Sequence, residues 1–299
     1  MKDKAKHPLP PNRRDLIQNV RAFGFMLPGL AGLFVFYIRP FSTVVRFSFG
    51  DNTVTHSFVG TENFRALAEN ASFRYAIGNS AFLALAGTFF LIVLSLFTAE
   101  LLSHAKHFTT IVKTVMLTPF VMPAACVALV YSVCTDHSRF FIKIFQAIGV
   151  GSSHSVADSY AIWFILLLFL WKNTGYFVLL FSGSMAKINH SILEAAKLDG
   201  AGTIRVFFDI KLRSISPSVL FAILLSVMSS FGMYREVFLI YGSHPPKEAY
   251  LISHYLNNTM STMNYSGMSA AALTVMLAVI ILSVALISIE RRLGKGMEQ

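Results

Sequence analysis

The chain has 299 residues, of which 55% are hydrophobic and only 13% are charged, whereas soluble domains carry about 25% charged residues. This composition excludes an ordinary soluble protein and predicts an all-α integral membrane protein. The net charge of +10 is compatible with a nucleic-acid ligand, but no aromatic and basic binding module accompanies it, so we expect no nucleic acid among the partners.

Six apolar runs are long enough to cross a hydrocarbon core, which needs about 20 apolar residues. They cover residues 22–38, 77–99, 114–135, 161–186, 218–234 and 268–289. A basic tail, residues 1–21, precedes them and is expected to lie flexibly along an anionic membrane surface. A second tail covers residues 290–299. The first run is predicted to be a retained span, because it is longer than the apolar part of a secretory signal and no cleavage site follows it.

The positive charges predict the orientation. Of the 25 Lys and Arg residues, 16 lie in the two tails and in the links 100–113 and 187–217, and 8 lie in the other links. Cytoplasmic segments of membrane proteins carry an excess of Lys and Arg. We therefore expect both termini and the link 187–217 to be cytoplasmic.

Two features inside the spans need an explanation. Pro119 and Pro123 lie four residues apart in the third span, which predicts a bent backbone of the kind tolerated where it lines a cavity or is packed in protein. Lys172 lies near the middle of the fourth span, where a lysine costs about 2.5 to 3.5 kcal/mol. This cost argues against contact with lipid. Lys172 either snorkels or pairs inside the bundle, or it lines the route of a transported solute.

Residues 191–217 form a polar interruption that is predicted to fold as helix, turn, helix. Ser191 is predicted to cap the first helix, with Glu194 three residues later as in a capping box. Asp199 and Gly200 are predicted to end this helix, because glycine readily adopts the left-handed conformation found there.

The second helix of this interruption is predicted to carry an apolar stripe of Ile204, Phe207 and Phe208, with Pro217 at the entry to the fifth span. The first helix has about seven residues, too few to be stable alone in water. Either it inserts into a groove of another protein, or the interruption lies on lipid headgroups.

Polar side chains recur at spacings of three and four along the fifth span, which places them on one helix face. They are Ser226, Ser229, Ser230 and Tyr234. Serines in such positions allow helices to approach and to hydrogen-bond, and as a set they are also suited to a hydrated cavity for a hydroxyl-rich solute. Arg235 and Glu236 follow and are expected near the membrane interface.

The polar interruption resembles the EAA loop of permease subunits of bacterial ATP-binding-cassette importers, most closely those of the carbohydrate-uptake type that includes maltose and glycerol-phosphate permeases. The residues that match in order and spacing are Glu194, Ala195, Ala196, Asp199, Gly200, Ala201, Ile210, Leu212 and Pro217. Weaker similarity extends over residues 24–293, including Trp171 and Gly175. Arg213 departs from the pattern, because the family usually has proline there.

The resemblance implies a six-helix permease domain in a bacterial plasma membrane, with residues 191–217 as a cytoplasmic coupling loop. It implies one subunit of a binding-protein-dependent importer for a sugar, an oligosaccharide or a polyol. The implied partners are a second permease in a heterodimer, two ATP-binding subunits and an extracellular solute-binding protein. The residues expected to contact the ATPase are Glu194, Ala195, Ala196, Asp199 and Gly200. The candidates for the translocation path are Lys172, Asn173, Tyr176, Ser226, Ser229 and Ser230.

The motifs that are missing from the sequence also restrict its function. There is no G-x-x-x-x-G-K-[ST] phosphate-binding loop, so we expect no catalytic residues and no cofactor in this chain, with ATP used by a partner. The nine His residues form no H-E-x-x-H motif, and no metal site is expected. The alternative is a secondary transporter or channel that works without an ATPase. It predicts inverted repeats, which the sequence does not contain, and the sequence does not identify the solute.

Overall fold

The structure, a computed structural model, describes residues 13–52, 57–105, 109–132 and 161–295. No β-strand forms among these residues, and the predicted all-α class is confirmed. The helices are α1 (Arg13–Leu33), α2 (Arg39–Ser48), α3 (Glu62–Glu69), α4 (Ala71–His104), α5 (Thr109–Val121), α6 (Ala124–Ser132), α7 (Ala161–Met185), α8 (His190–Leu198), α9 (Thr203–Arg205), α10 (Leu212–Ser214), α11 (Ser216–Gly232), α12 (Tyr234–Tyr241), α13 (Ile252–Ser261) and α14 (Tyr265–Lys295).

Parts of the predicted tails and of the third span lie outside the described residues, namely 1–12, 133–135 and 296–299. The tail 1–21 was predicted to be flexible, but its described part is helical from Arg13 onward. The helix of the first span therefore begins well before its apolar run. From Phe23 to Ile38 none of its residues is buried by the rest of the described chain, whereas α2 packs on the bundle against α14.

Among the described residues, five helices are long and apolar enough to cross a membrane, and the bent pair of α5 and α6 makes a sixth span if it is counted as one. The five helical stretches are Phe23–Ser48, Ala71–His104, Ala161–Met185, Ser216–Tyr241 and Tyr265–Ser288. Several extend beyond the predicted runs, because an apolar run marks only the part of a helix that suits hydrocarbon. Helix α4, for example, begins at a polar cap, where the Asn70 side chain accepts a hydrogen bond from the Phe73 backbone N–H at 3.1 Å.

The predicted bend in the third span occurs at the second of its two prolines. Pro119 lies inside α5, whereas α5 and α6 meet at an angle of 94° across Met122 and Pro123. Proline has no backbone N–H to donate, and its ring disfavours a helical conformation of the preceding residue. The chain therefore leaves the helical path at Met122.

Helix α4 is central to the bundle and packs against α7 and α11. Its Gly87 leaves room for the ring of Phe169, because a Cβ atom at Gly87 would lie 3.0 Å from that ring. Helix α5 approaches α7 even more closely, since a Cβ atom at Gly175 would lie 1.8 Å from the Met116 carbonyl oxygen. These two glycines let neighbouring helices come close enough to fix which side of α7 faces the bundle.

Two links between spans contact opposite ends of α4. Near its first turns, the Asn79 side chain donates to the carbonyl oxygens of Lys247 and Tyr250 at 2.6 and 3.1 Å. The Ile252 backbone N–H donates to the Ser80 hydroxyl at 2.8 Å. These contacts hold the C-terminal connection, residues 242–264, which contains α13. The EAA loop, residues 191–217, meets the other end of α4, about 30 Å away at 1.5 Å per residue.

Candidate functional site: the EAA loop and the bundle cavity

Helix α8, the first helix of the EAA loop, begins at His190, one residue earlier than the loop. Asn189 is its N-cap, and the Asn189 side-chain oxygen accepts a hydrogen bond from the Ser191 backbone N–H at 3.1 Å. The predicted capping box of Ser191 and Glu194 is therefore wrong, because Ser191 already lies in the first helical turn. Asn189 has the extended backbone that a cap requires, with ψ at 123°.

The turn after α8 is built as predicted around Gly200. Its φ of +78° lies in the left-handed region that disfavours residues with a side chain. The Gly200 N–H donates to the Lys197 carbonyl at 3.1 Å, and the Ala201 N–H donates to the Ala196 carbonyl at 2.9 Å. This pair of hydrogen bonds is the Schellman motif, which satisfies carbonyls that the helix end would otherwise leave without partners.

The five residues predicted to contact an ATPase lie together on this helix and turn. Glu194, Ala195, Asp199 and Gly200 are exposed, and Ala196 is half-buried. No residue of α8 is buried by the described chain, and Leu198 at its end is 90% exposed. An exposed apolar side chain on a nine-residue helix predicts a further contact surface, since so short a helix gains little stability from its own hydrogen bonds.

The second helical part of the EAA loop runs from α9 to α10 through a π turn, Val206–Lys211. The predicted stripe of Ile204, Phe207 and Phe208 is divided by this geometry. Phe207 packs against the bundle core, whereas Ile204 and Phe208 are 76% and 59% exposed. Within the described chain, the bundle therefore covers only Phe207 of this stripe, and Phe208 lies inside the π turn, where side-chain spacing departs from that of an α-helix.

A cavity of about 350 Å³ opens between α5, α7, α11 and α12. Its polar and charged lining consists of Lys172, Asn173, Ser229, Arg235 and Glu236. Its remaining lining residues are Phe120, Leu225, Met228, Gly232 and Met233. A small number of polar groups within a mainly apolar wall is typical of a site for a small solute.

An ion pair between Lys172 and Glu236 lies in this cavity. The Lys172 ammonium donates to Oε1 of Glu236, and the two side chains are 14% and 1% exposed. Glu236 is therefore buried inside the bundle, in the last turns of the candidate span Ser216–Tyr241. Its second carboxylate oxygen, Oε2, is buried and has no hydrogen-bond partner within the described chain, so it is an unsatisfied acceptor beside the cavity.

Only three of the six predicted path residues line the cavity, namely Lys172, Asn173 and Ser229. Tyr176 stacks on Phe120 with ring centroids 4.7 Å apart. Ser226 accepts a hydrogen bond from the Thr88 hydroxyl of α4 at 2.8 Å. Ser230 donates to the Val227 carbonyl of its own helix at 2.7 Å. In this conformation the latter three support the packing around the cavity.

Sequence reasoning missed Glu236 as the partner of Lys172. The available signal was one unpaired lysine inside a span and one carboxylate directly after another span, and a buried charge requires an opposite charge or hydrogen bonds. Among the described residues, no group of three His, Cys, Asp or Glu side chains is placed to hold a metal ion.

Comparison with known proteins identifies the family. Residues 92–297 match the family described as "Binding-protein-dependent transport system inner membrane component". The chain is 25% identical over 263 residues to "Probable ABC transporter permease protein YurN" of Bacillus subtilis, covering 85% of this chain and 90% of that protein. It is 28% identical over 272 residues to "sn-glycerol-3-phosphate transport system permease protein UgpA" of Yersinia enterocolitica, covering 87% and 90%.

The fold is also similar to that of a solved structure titled "Crystal structure of a bacterial ABC transporter involved in the import of the acidic polysaccharide alginate". The TM-score is 0.79 at 18% sequence identity, over 93% of this chain and 98% of that chain. The matched family range contains both the EAA loop and every lining residue of the cavity. The chain therefore belongs to the family of inner-membrane components of binding-protein-dependent transport systems.

Proposed function

We propose that the chain is one membrane-spanning subunit of an ATP-driven importer for a sugar, an oligosaccharide or a related polyol. The relatives named for sn-glycerol 3-phosphate and the fold shared with an alginate importer support this solute class. The observation that carries the proposal is helix α8, which is closed by a Schellman turn yet has no buried residue. A helix of this kind needs a partner that covers it.

The proposed partner on α8 is a cytoplasmic ATP-binding subunit, with Glu194, Ala195, Ala196, Asp199 and Gly200 at the contact. Two such subunits, a second permease in a heterodimer and an extracellular solute-binding protein complete the assembly, with both termini of this chain in the cytoplasm. Closure of the ATPase pair on ATP moves α8. Because the EAA loop continues directly into α11, this movement tilts a helix that lines the cavity.

The proposed route of the solute includes Lys172, Asn173 and Ser229, with Glu236 added from the structure. A carbohydrate presents hydroxyl groups that both donate and accept hydrogen bonds. The buried Oε2 of Glu236, which has no partner among the described residues, accepts from such a hydroxyl once the bundle rearranges to expose it, and the Ser229 hydroxyl can donate or accept. Tyr176, Ser226 and Ser230 are proposed to join this route only when the bundle rearranges.

The experiment that tests the coupling role compares two glycine substitutions. In Gly200→Val the side chain is forced into the left-handed region at φ +78°, whereas in Gly202→Val the backbone is extended, with φ −68° and ψ 160°. Neither Cβ atom would meet another atom within 4 Å, so the backbone conformation is the main difference between the two variants. We expect Gly200→Val to insert normally but to lose the ATP-binding subunit on affinity purification in mild detergent.

Gly202→Val is the matched control and is expected to retain the ATP-binding subunit at close to wild-type levels. Equal recovery of that subunit with both variants would contradict the coupling role of the turn. If no ATP-binding protein accompanies even the unmodified chain, or if vesicles containing this chain alone transport solute without nucleotide, the importer proposal itself fails.

A further inference from the structure

A second ion pair, Glu100–Lys211, joins the EAA loop to the end of α4. The Lys211 ammonium donates to Oε1 and Oε2 of Glu100 at 2.7 and 2.9 Å. The two side chains are only 13% and 15% exposed, so water screens this pair less than it screens a surface pair. The residues are 111 positions apart in the sequence, and the pair is therefore a tertiary contact.

Glu100 occupies a position that is unfavourable for a carboxylate on its own. It lies one turn before the end of α4 at His104, where the unpaired backbone carbonyls of a helix carry partial negative charge. The His104 ring nitrogen Nδ1 lies 3.8 Å from the carboxylate, but this side chain is 59% exposed. Among the described residues, Lys211 is thus the part-buried cation that compensates Glu100.

The π turn of the EAA loop is what turns Lys211 toward α4. In a regular α-helix, two residues five positions apart point about 140° away from each other, at 3.6 residues per turn. In a π turn the hydrogen bonds run between residues five apart, which aligns such residues on one face. Val206 and Lys211 are the two ends of this turn. Val206 is buried, and Lys211 reaches Glu100.

The neighbouring pair Arg205–Asp209 has none of these properties. It joins residues four apart on one helical segment, at 3.4 Å, with side chains 78% and 64% exposed. Such surface pairs contribute little to stability. It lies in the same loop and so provides a matched control for any change of charge there.

We propose that Glu100 and Lys211 are positioning residues that fasten the EAA loop to α4, so that displacement of the loop by an ATPase moves α4 together with α11. Helix α4 packs against α7 and α11, two of the helices around the cavity. The pair gives the loop a second attachment besides its covalent continuation into α11. This inference rests on the coupling role proposed above for the EAA loop.

The test follows the cavity directly, so that it does not require the solute. The transporter is purified through this chain with its co-purifying subunits, in a background in which Cys126 and Cys134 are replaced by Ser and Ser229 by Cys. Reconstituted in nanodiscs, it is labelled with a polar maleimide, with and without ATP and vanadate. The ratio of the two labelling rates and the rate of ATP hydrolysis are measured for each variant.

We expect Glu100→Gln to reduce the nucleotide-dependent change in labelling about tenfold while ATP hydrolysis continues, because typical coupling between sites amounts to roughly 5- to 150-fold. The charge exchange Glu100→Lys with Lys211→Glu should restore the change at least in part. Asp209→Asn, the control in the exposed pair, should leave it unaltered. A role in folding alone would lower the yield of complex without altering the ratio in the complex that is recovered.

The outcomes distinguish failure of the coupling role of the loop from failure of the role of the pair. If the background protein binds the ATPase but shows no nucleotide response, the coupling role of the loop fails, and the role of the pair fails with it. If labelling of the background protein changes with nucleotide, and labelling of Glu100→Gln changes equally, only the role of the pair is overturned. If Glu100→Gln yields no complex, Lys211→Gln is measured instead, and failure of both variants to assemble assigns the pair to folding and overturns the inference.

Discussion

The EAA loop and the C-terminal connection are both polar links between spans, and they contact opposite ends of the same helix, α4. The C-terminal connection is held in place by the rest of the same chain. Its residues Leu251, Ile252 and His254 are buried, and Asn79 and Ser80 of α4 hydrogen-bond to its backbone. Only one of the two helical parts of the EAA loop packs on the bundle. Its second helical part packs on the bundle, whereas α8 has no buried residue.

This difference shows which link is complete within this chain. When the apolar side chains of a link are buried by the same chain, substitutions in that link change the stability of the fold. Under the proposed function, a link that leaves a short helix uncovered is covered by another molecule, and substitutions in it are expected to weaken association with that molecule. Substitutions of the same residue type in the two links separate these effects.

The largest effect on stability is expected from Leu251→Ala in the C-terminal connection. Leu251 is 3% exposed, and removing a buried leucine side chain costs about 2 to 5 kcal/mol. The matched variant is Leu198→Ala in α8, at a residue 90% exposed, which should change stability by less than about 0.5 kcal/mol but reduce recovery of the ATP-binding subunit. Thermal unfolding in detergent measures the stability of each variant, and quantitative co-purification measures recovery of the ATP-binding subunit. Equal shifts of the unfolding midpoint in the two variants would contradict the difference between the two links.

The next effect concerns pH and His254. Burial lowers the pKa of His254 from 6.5 to about 4. Its Nδ1 accepts a hydrogen bond from the Leu251 N–H at 3.3 Å, and Nε2 has no partner among the described residues. The folded chain therefore holds the neutral ring, and the unfolded chain takes up a proton first as the pH falls.

Stability is consequently expected to decrease from about pH 6.5 down to about pH 4 and to level off below it, by roughly 3 kcal/mol in total. The measurement is the unfolding midpoint across this pH range. His254→Gln should remove this contribution. His190→Gln, at the exposed first residue of α8, should leave it in place, and a profile that does not respond to His254→Gln would show that another group is responsible.

The smallest effect is expected from two asparagines. Asn79→Ala removes two hydrogen bonds to the C-terminal connection, at a cost of about 1 kcal/mol for each bond, and should speed trypsin cleavage after Lys247 by at least about fivefold. Asn189→Ala removes the cap of α8, at a similar cost of about 1 kcal/mol. It should speed cleavage after Lys197 and leave Lys247 unchanged, and a general increase at both sites would mean that the two links are not independent.

Local sequence determined much of this protein. Apolar runs of sufficient length predicted the spans, because hydrocarbon imposes a minimum length of apolar helix. Gly200 predicted the end of α8, since only glycine adopts the left-handed conformation there without strain. Pro119 and Pro123 together predicted a bend in the third span, because proline cannot donate the hydrogen bond that would continue a helix, and the structure places that bend at Pro123.

Only the tertiary structure decided which charged groups meet and which helix faces are buried. Lys172 and Glu236 are 64 positions apart, and Glu100 and Lys211 are 111 apart. Whether such residues touch depends on the rotation of each helix, which is set by close contacts such as Gly175 against Met116 and by the π turn Val206–Lys211. These arise from the packing of several helices together, and the spacing of residues along one segment does not encode them.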